Sequence, residues 1–359
     1  MTIYDIIIIS SLIGVLASVT YKTKLAKVFL YVTSITMVLS VCLRYDDTGG
    51  GNDTSRYLEY FMKPYSNALY YSDISDYGYI IWNRAVGCVW HNKYFFSFLT
   101  SFIPYFLILR LGYRYVDNKN FFLFLILNFS VGASFYFLSF SMLRQFMALG
   151  IWCVVLDMYV RNDRRVTKGL CLAIVLMLSF HSTSLLCVIL MLLDKVRVSK
   201  KKMVIISILS YLSGMVVSYY VPYLNALGVY LDRSFYLTSN LAESTFNPMA
   251  MLPYLATLFS VLYVYDEEYC NSIYVKGLFY SVVIAGLLNS LGTNLDRILM
   301  YYYVPSFIAI SALFGNFKGK RKVLLPVFIG FMAYFTYKFY INLQLVYEGT
   351  LLPYKSCFD

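Results

Sequence analysis

Residues 138–152, LSFSMLRQFMALGIW, form an apolar stretch that carries a charged and an amide side chain, Arg144 and Gln145. A guanidinium in hydrocarbon costs about 2.5–3.5 kcal/mol even on the most lenient insertion scale. A chain retains such a residue where it can bind an anion, because a planar guanidinium grips phosphate or carboxylate oxygens in pairs. The alternative is an arginine that extends to the lipid headgroups while its stem stays in hydrocarbon.

A second arginine-rich segment is RYDDTGGGNDTSRY, residues 44–57. Arg44 and Arg56 bracket three aspartates, among them Asp53, and three glycines allow the backbone to approach a ligand closely. The alternative is a polar loop with internal ion pairs. The glycine run is not a P-loop, because no Gly-Lys-Ser/Thr follows it, and no ATP site is predicted.

Two further segments carry candidate groups. TNLDRILMYY, residues 293–302, has Asp296 beside Arg297, for which the alternative is a local ion pair at a helix start. SFHSTS contains His181, for which the alternative is a neutral, hydrogen-bonded histidine in a helix break.

The composition indicates which kind of element must position these groups. The 359 residues are 60% hydrophobic and only 14% charged, with a mean hydropathy of +0.64, whereas soluble domains are about a quarter charged. Apolar runs recur along the whole chain without the alternation of a β-barrel, so we predict an all-α polytopic membrane protein. Two histidines and seven cysteines without a CxxC pair predict neither a metal site nor a cofactor that depends on one.

The net charge of +11 predicts orientation in a membrane rather than binding of nucleic acid. Nineteen of the 30 lysines and arginines fall in five short clusters beside apolar runs, at residues 22–27, 110–119, 161–168, 195–202 and 318–322. The positive-inside rule makes these clusters cytoplasmic. Spans are then predicted at 3–20, 28–43, 94–112, 121–139, 142–160, 203–221, 250–265, 275–291, 298–316 and 323–341.

The stretch 169–193 needs a separate interpretation, because basic clusters flank both of its ends. Twenty-five residues are too few for two full crossings of about 20 residues each. We predict a broken or re-entrant pair of short helices with its bend at SFHSTS. The total is ten to twelve membrane segments in a single domain, 1–359, with large outer loops at 44–92 and 222–249.

Eleven lysines and arginines lie outside the five clusters, and six of them are arginines. On this topology all six arginines lie at or near the outer face, against the usual bias. They are Arg44, Arg56, Arg84, Arg144, Arg233 and Arg297. We therefore expect the working face of the protein to be outside.

Four segments carry a resemblance to a known family. RYDDTGGGNDTSRYLEYF resembles the Arg-Tyr…Gly-x-Asp-x-x-x-Tyr signature of the EpsG-like branch of Wzy-type O-antigen and exopolysaccharide polymerases, which aligns Asp53 and Tyr57. MLRQFMALGIW resembles its hydrophobic-Arg-Gln-x-x-Ala segment, FHSTSLL its Phe-His-x-Ser segment, and Asp296-Arg297 its late arginine. The motifs occur in the order of the family, although Thr183-Ser184 departs from its usual pattern after the histidine.

The resemblance implies a glycosyltransferase of the bacterial inner membrane. Such proteins join oligosaccharide repeat units carried on undecaprenyl pyrophosphate at the outer, periplasmic face, for O-antigen, capsule or exopolysaccharide synthesis. They need no cofactor and generally no metal. A chain-length regulator and a flippase of the same pathway are the protein partners expected beside membrane lipid, and nucleic acid is not expected.

This chemistry suits the residues. Without Mg²⁺, arginines must neutralise the lipid pyrophosphate leaving group, and we expect Arg44, Arg144 and Arg297 to form one cradle for it. The acceptor hydroxyl needs a general base, for which Asp53 and His181 both remain candidates. The side chains expected to bind substrate are Arg56, Tyr57, Arg84, Gln145, Arg233 and Asp296.

Two other functions stay open. An O-antigen ligase would use the same donor with a lipid A-core acceptor, and the physical argument does not exclude it. A flippase or transporter of the lipid-linked sugar would form no bond, and its arginines would line a path to the cytoplasmic side.

Overall fold

The computed structural model describes residues 3–19, 23–44, 54–63, 76–116, 136, 139–140, 142–230, 248–288, 293–315 and 321–345. All regular elements in these ranges are helical, which agrees with the predicted all-α class. The helices are α1 (Ile3–Val19), α2 (Thr23–Cys42), α3 (Thr54–Met62), α4 (Tyr77–Val89), α5 (Lys93–Tyr115), α6 (Leu143–Arg161), α7 (Lys168–Phe180), α8 (Leu185–Asp194), α9 (Lys200–Tyr230), α10 (Pro248–Val264), α11 (Glu267–Cys270), α12 (Ile273–Leu288), α13 (Thr293–Gly315) and α14 (Arg321–Leu345).

The helix bounds agree with most of the predicted spans to within a few residues. The span predicted at 121–139 falls almost entirely outside the described ranges. Three described helices are long and apolar enough to cross a membrane: Lys24–Cys42, Lys93–Tyr115 and Leu143–Arg161. Shorter apolar helices are also present among the described residues. This fits a membrane protein, whereas the ten to twelve segments and the two outer loops stay predictions.

The chain divides into two compact units. The first comprises Met1–Leu185 with Phe335–Asp359, and the second comprises Leu186–Tyr334. A division into compact units does not test whether the chain works as one membrane domain, so that prediction stays open.

In the first unit, α1 pairs with α2, α2 packs on α5, and α5 packs along α6. The α5–α6 contact is tight, since a Cβ on Gly150 would lie 2.7 Å from the Cα of Pro104. Only a glycine allows the two backbones to meet at the proline. This contact fixes α6, and therefore the arginine in its first turn, against α5.

A second tight contact joins α4 to α7 in the same unit. A Cβ on Gly78 would lie 2.3 Å from the Ser179 Oγ and 2.9 Å from the Ser179 carbonyl carbon. Trp82 ties α4 to α5 as well, since its Nε1 donates to the Thr100 Oγ1 at 2.9 Å. Short helix α3 packs against both α4 and α5.

The second unit is built on α12, which contacts α9, α10 and α13. A Cβ on Gly277 would lie 2.7 Å from the Cγ of Pro305, so the α12–α13 contact also requires a glycine. Lys276 is buried and donates to the backbone carbonyl of Asp194, with its Nζ 3.6 Å from Asp194 Oδ1. That bond caps the C-terminus of α8, where carbonyls would otherwise lack partners.

The stretch 169–193 consists of two short helices separated by a break. α7 has 13 residues, His181 is extended with φ −163°, and a 3₁₀ turn at Ser182–Ser184 leads into α8. Thirteen helical residues span about 20 Å, which is less than the hydrocarbon thickness of about 30 Å. These bounds agree with two short helices that bend at SFHSTS, and the return of the pair to one side stays a prediction.

Candidate active site

Arg144 lies in the first turn of α6 and pairs with an acidic residue of another helix. Its Nη1 donates to Asp76 Oδ2 at 2.7 Å, with 26% of the arginine side chain and 7% of the aspartate side chain exposed. A cation is unfavourable at a helix N-terminus, where the helix dipole is positive. The Asp76 carboxylate supplies the anion that offsets this unfavourable position.

Asp76 precedes α4 directly and occupies its N-cap position. Its backbone carbonyl accepts from the Tyr79 N–H at 3.0 Å, but its side chain makes no capping hydrogen bond within the helix. The carboxylate instead points to Arg144 and His181. The carboxylate lies at the positive end of the α4 dipole.

His181 lies at the break after α7, within reach of the same carboxylate oxygen. Its Nδ1 is 3.4 Å from Asp76 Oδ2. The Gly78–Ser179 contact explains this approach, because Asp76 lies two residues before Gly78 and His181 two residues after Ser179. The extended backbone at His181 is held by the Ser184 Oγ, which donates to the His181 carbonyl at 2.7 Å.

Tyr57 of α3 completes the group. Its ring lies against the guanidinium, with the Arg144 Cζ 5.4 Å from the ring centroid, and its hydroxyl accepts from Arg144 Nε at 3.3 Å. The ring is buried and meets Tyr79 edge to face, with centroids 5.5 Å apart. A cation over an aromatic face contributes roughly 0.5–2 kcal/mol, depending on its desolvation.

These four residues, Tyr57, Asp76, Arg144 and His181, form what we term the Arg144 cluster. Asp76 Oδ2 accepts from Arg144 and meets His181, so one carboxylate orients both groups. Among the described residues, neither Arg144 Nη2 nor His181 Nε2 has a hydrogen bond. The cluster can therefore offer a guanidinium edge to an anion and an imidazole nitrogen to a proton.

Sequence reasoning singled out Tyr57, Arg144 and His181, which the structure brings together, but it missed Asp76. The available signal was local: SDYGYI puts an aspartate directly before a helix, in an N-cap position. Within the part of the chain that the structure describes, no group of three His, Cys, Asp or Glu side chains could hold a metal ion.

Arg44 occupies a different setting from the Arg144 cluster. It is 2% exposed, directly after α2, where its Nη1 donates to the Val41 carbonyl and to the Ser101 Oγ, the latter at 3.1 Å. Its Cζ lies 5.7 Å from the centroid of the Phe140 ring. These partners bind the guanidinium into the interior of the first unit, and its part in a common cradle stays a prediction.

Three residues expected to bind substrate have described side chains outside the cluster. Gln145 is 2% exposed and faces the core. Arg56 is exposed, and its Nε donates to the Tyr60 hydroxyl at 2.9 Å. Arg84 lies on an exposed part of α4.

The other four candidates have side chains outside the described part of the protein. Asp53 and Arg233 lie outside the described residues. Asp296 and Arg297 lie at the start of α13, in the second unit, and only their backbone is described. Their roles, and the choice between Asp53 and His181 as base, stay predictions.

Comparison with known proteins gives one family. No curated protein and no solved structure matches the chain. The sequence profile of the EpsG family matches residues 27–356, a range that contains the Arg144 cluster and all four segments on which the resemblance was based. That resemblance is thereby confirmed, and the chain belongs to the EpsG family.

Proposed function

We propose that this protein is a polysaccharide polymerase that joins oligosaccharide repeat units carried on undecaprenyl pyrophosphate. The EpsG family suggests an exopolysaccharide or polysaccharide polymerase-like role. The observation that carries the finer proposal is the Arg144 cluster, in which an arginine and a histidine of an apolar protein share one carboxylate oxygen.

Arg144 stabilises the leaving group. When the donor glycan is transferred, the bond between its anomeric carbon and the phosphate oxygen breaks, and negative charge grows on that oxygen. Asp76 occupies Nη1 of Arg144, and the remaining edge of the guanidinium can face a phosphate. A charge-assisted hydrogen bond of this kind contributes about 1.5–3 kcal/mol, so its removal slows transfer roughly ten- to a hundredfold.

His181 is the general base of the proposal. Its Nδ1 faces Asp76, so Nε2 is the nitrogen that takes the proton from the acceptor hydroxyl as that oxygen attacks the anomeric carbon. A general base that is oriented by a third group activates weak nucleophiles in many enzymes, and here Asp76 would orient His181. Direct displacement inverts the anomeric centre, and the products are a longer lipid-linked glycan and undecaprenyl pyrophosphate.

Asp76 and Tyr57 act as positioning residues. Asp76 fixes the His181 ring and holds Arg144 in place against the repulsion of the positive N-terminus of α6. Tyr57 limits the guanidinium to one plane through its ring and its hydroxyl.

The proposed location is the outer, periplasmic face of the bacterial inner membrane. It rests on the basic clusters, which the positive-inside rule assigns to the cytoplasm, because Arg144 then starts its helix on the outer side. The flippase of the pathway would supply the lipid-linked units, and a chain-length regulator would set the product length.

The test is a gene deletion complemented by single variants, with surface polysaccharide resolved on a gel. We expect the deletion to lose the long-chain ladder and keep a band with one repeat unit, and Arg144→Ala to behave like the deletion at equal protein level. Arg165→Ala, a matched change at an exposed arginine after α6, should restore the ladder. Loss of both the ladder and the single-repeat band would instead support a ligase or flippase.

A further inference from the structure

The end of α6 opposite to Arg144 carries a second charged group, between α5 and α6. Asp157 accepts from Arg114 Nη1 and from the Tyr115 hydroxyl, the latter at 2.8 Å, and Arg161 Nη1 lies 3.8 Å from its Oδ2. One carboxylate thus faces two cations, Arg114 and Arg161. Arg110, one turn before Arg114, is exposed and has no hydrogen bond or ion pair among the described residues.

A pocket opens beside this group, and we term it the Arg110 pocket. Its walls combine aliphatic and thiol side chains with a charged rim: Leu107, Arg110, Leu111, Arg114, Cys153, Val154 and Asp157. With Asp157 paired to Arg114, the charge of Arg110 is uncompensated at the rim. An apolar wall with a cationic rim matches a ligand that has an anionic head and a hydrocarbon tail.

The position of the pocket along the helix indicates where such a ligand would lie. Asp157, which lines the pocket, follows Arg144 by 13 positions, or about 20 Å along a helix, and the end of α6 at Arg161 lies one turn further. The hydrocarbon thickness is about 30 Å, so the pocket lies in the half of the bilayer away from Arg144, about one turn before the end of α6. If the Arg144 cluster lies at one headgroup level, the Arg110 pocket lies near the other, which the basic residues at 161–168 predict to be cytoplasmic.

We propose that the Arg110 pocket binds the phosphate headgroup of an anionic glycerophospholipid from the leaflet opposite to the Arg144 cluster. Arg110 and Arg114 bind the phosphate oxygens, because a guanidinium fork suits phosphate in a way that a point charge does not. The first part of an acyl chain packs against Leu107 and Leu111. A free phosphate ion would leave these apolar walls unused.

Lipid binding to the Arg110 pocket should stabilise the α5–α6 pair, whether or not the protein is a polymerase. Among the described residues, those that line the pocket all belong to α5 and α6, and these helices also meet at Gly150 and Pro104. A lipid that bridges their inner ends stabilises the pair that positions Arg144. Loss of one charge-assisted contact to phosphate should weaken lipid binding about tenfold or more.

The test uses the full-length protein, purified in neutral detergent, and its thermal unfolding. Phosphatidylglycerol, phosphatidylcholine and inorganic phosphate are added in separate arms. Wild type should unfold at a higher temperature with phosphatidylglycerol only. Arg110→Gln, which leaves the Arg114–Asp157 pair intact, should lose this gain, whereas Arg165→Gln, an equal loss of charge outside the pocket, should keep it.

Each other outcome overturns the proposal. An equal gain from phosphatidylcholine would exclude recognition of the anionic headgroup. An equal gain from inorganic phosphate would make the pocket a site for free anions. If phosphatidylglycerol raised the unfolding temperature of Arg110→Gln as much as that of wild type, or failed to raise that of Arg165→Gln, the lipid would not bind at this pocket.

Discussion

The role of Asp76 is the most direct test of the Arg144 cluster, and Asp76→Asn is the variant to use. Asparagine keeps the shape of the side chain and removes its charge. The variant breaks an ion pair of 2.7 Å between a side chain that is 7% exposed and one that is 26% exposed. Breaking a fully buried pair costs about 3–5 kcal/mol, and a hydrogen bond to a charged group contributes about 1.5–3 kcal/mol.

The range of about 1.5–3 kcal/mol applies, because water can reach the partly exposed Arg144 and replace some of the lost interaction. We therefore expect the free energy of unfolding to fall by about 2 kcal/mol. Polymer synthesis should fall more than this loss of stability explains, since His181 also loses its orienting carboxylate. General bases contribute about 10²–10⁴-fold, so a loss of orientation should slow transfer by about ten- to a hundredfold.

The assay measures chain length on a gel and the amount of inserted protein, with Asp163→Asn as a matched change at an exposed aspartate. A double-mutant cycle with His181→Ala separates positioning from folding. If Asp76 acts through His181, the two changes should couple by about 1 kcal/mol or more, and the second should add little to the first. A normal ladder in Asp76→Asn, or rate losses that multiply without coupling, would refute the reasoning.

Three further predictions address the cluster and its orientation. Arg144→Lys should fail nearly as badly as Arg144→Ala, because lysine keeps the charge but not the planar fork; full-length polymer at equal protein level would reduce the residue to a point charge. Gly78→Ala should shorten or abolish polysaccharide chains, because the added Cβ would overlap the α7 backbone and displace Asp76. Gly330→Ala is the control and should leave chain length unchanged, since no atom lies within 4 Å of its added Cβ. In a cysteine-free background, a cysteine at Gly50 should react with an impermeant maleimide in spheroplasts and one at Asp163 should not, and the reverse labelling would overturn the orientation.

The sequence predicted the helices well because their signal is local. An apolar run between basic clusters defines a helix almost by itself, and α5 and α6 begin and end within three residues of the spans predicted at 94–112 and 142–160. The break at His181 was equally local, since 25 residues between two basic clusters leave no room for two crossings. Nothing comparable marks the helix-to-helix contacts.

The site was predictable only in part for the same reason. Arg144 stood out because a charge is costly in an apolar segment, His181 because it lies at the predicted helix break, and Tyr57 because it matches the family signature. Their common partner had no such mark. Asp76 lies in a long polar segment, where an aspartate carries no sign of what it will face. Arg44 illustrates the converse, because a residue at a helix end can turn outward or inward, and the structure turns it inward onto Ser101.

The glycine contact between α4 and α7 has a consequence for the evolution of the chain. Asp76 and His181 are held in register by the approach at Gly78 rather than by the length of chain that separates Tyr57 from Asp76. Insertions or deletions between α3 and α4 would then leave the cluster intact, provided that the glycine and the small residue opposite it remain. Relatives that keep this geometry would then differ in the number of residues between Tyr57 and Asp76. A sequence search for a fixed distance from the tyrosine would miss the aspartate. A search for an aspartate two residues before a helical glycine would find it.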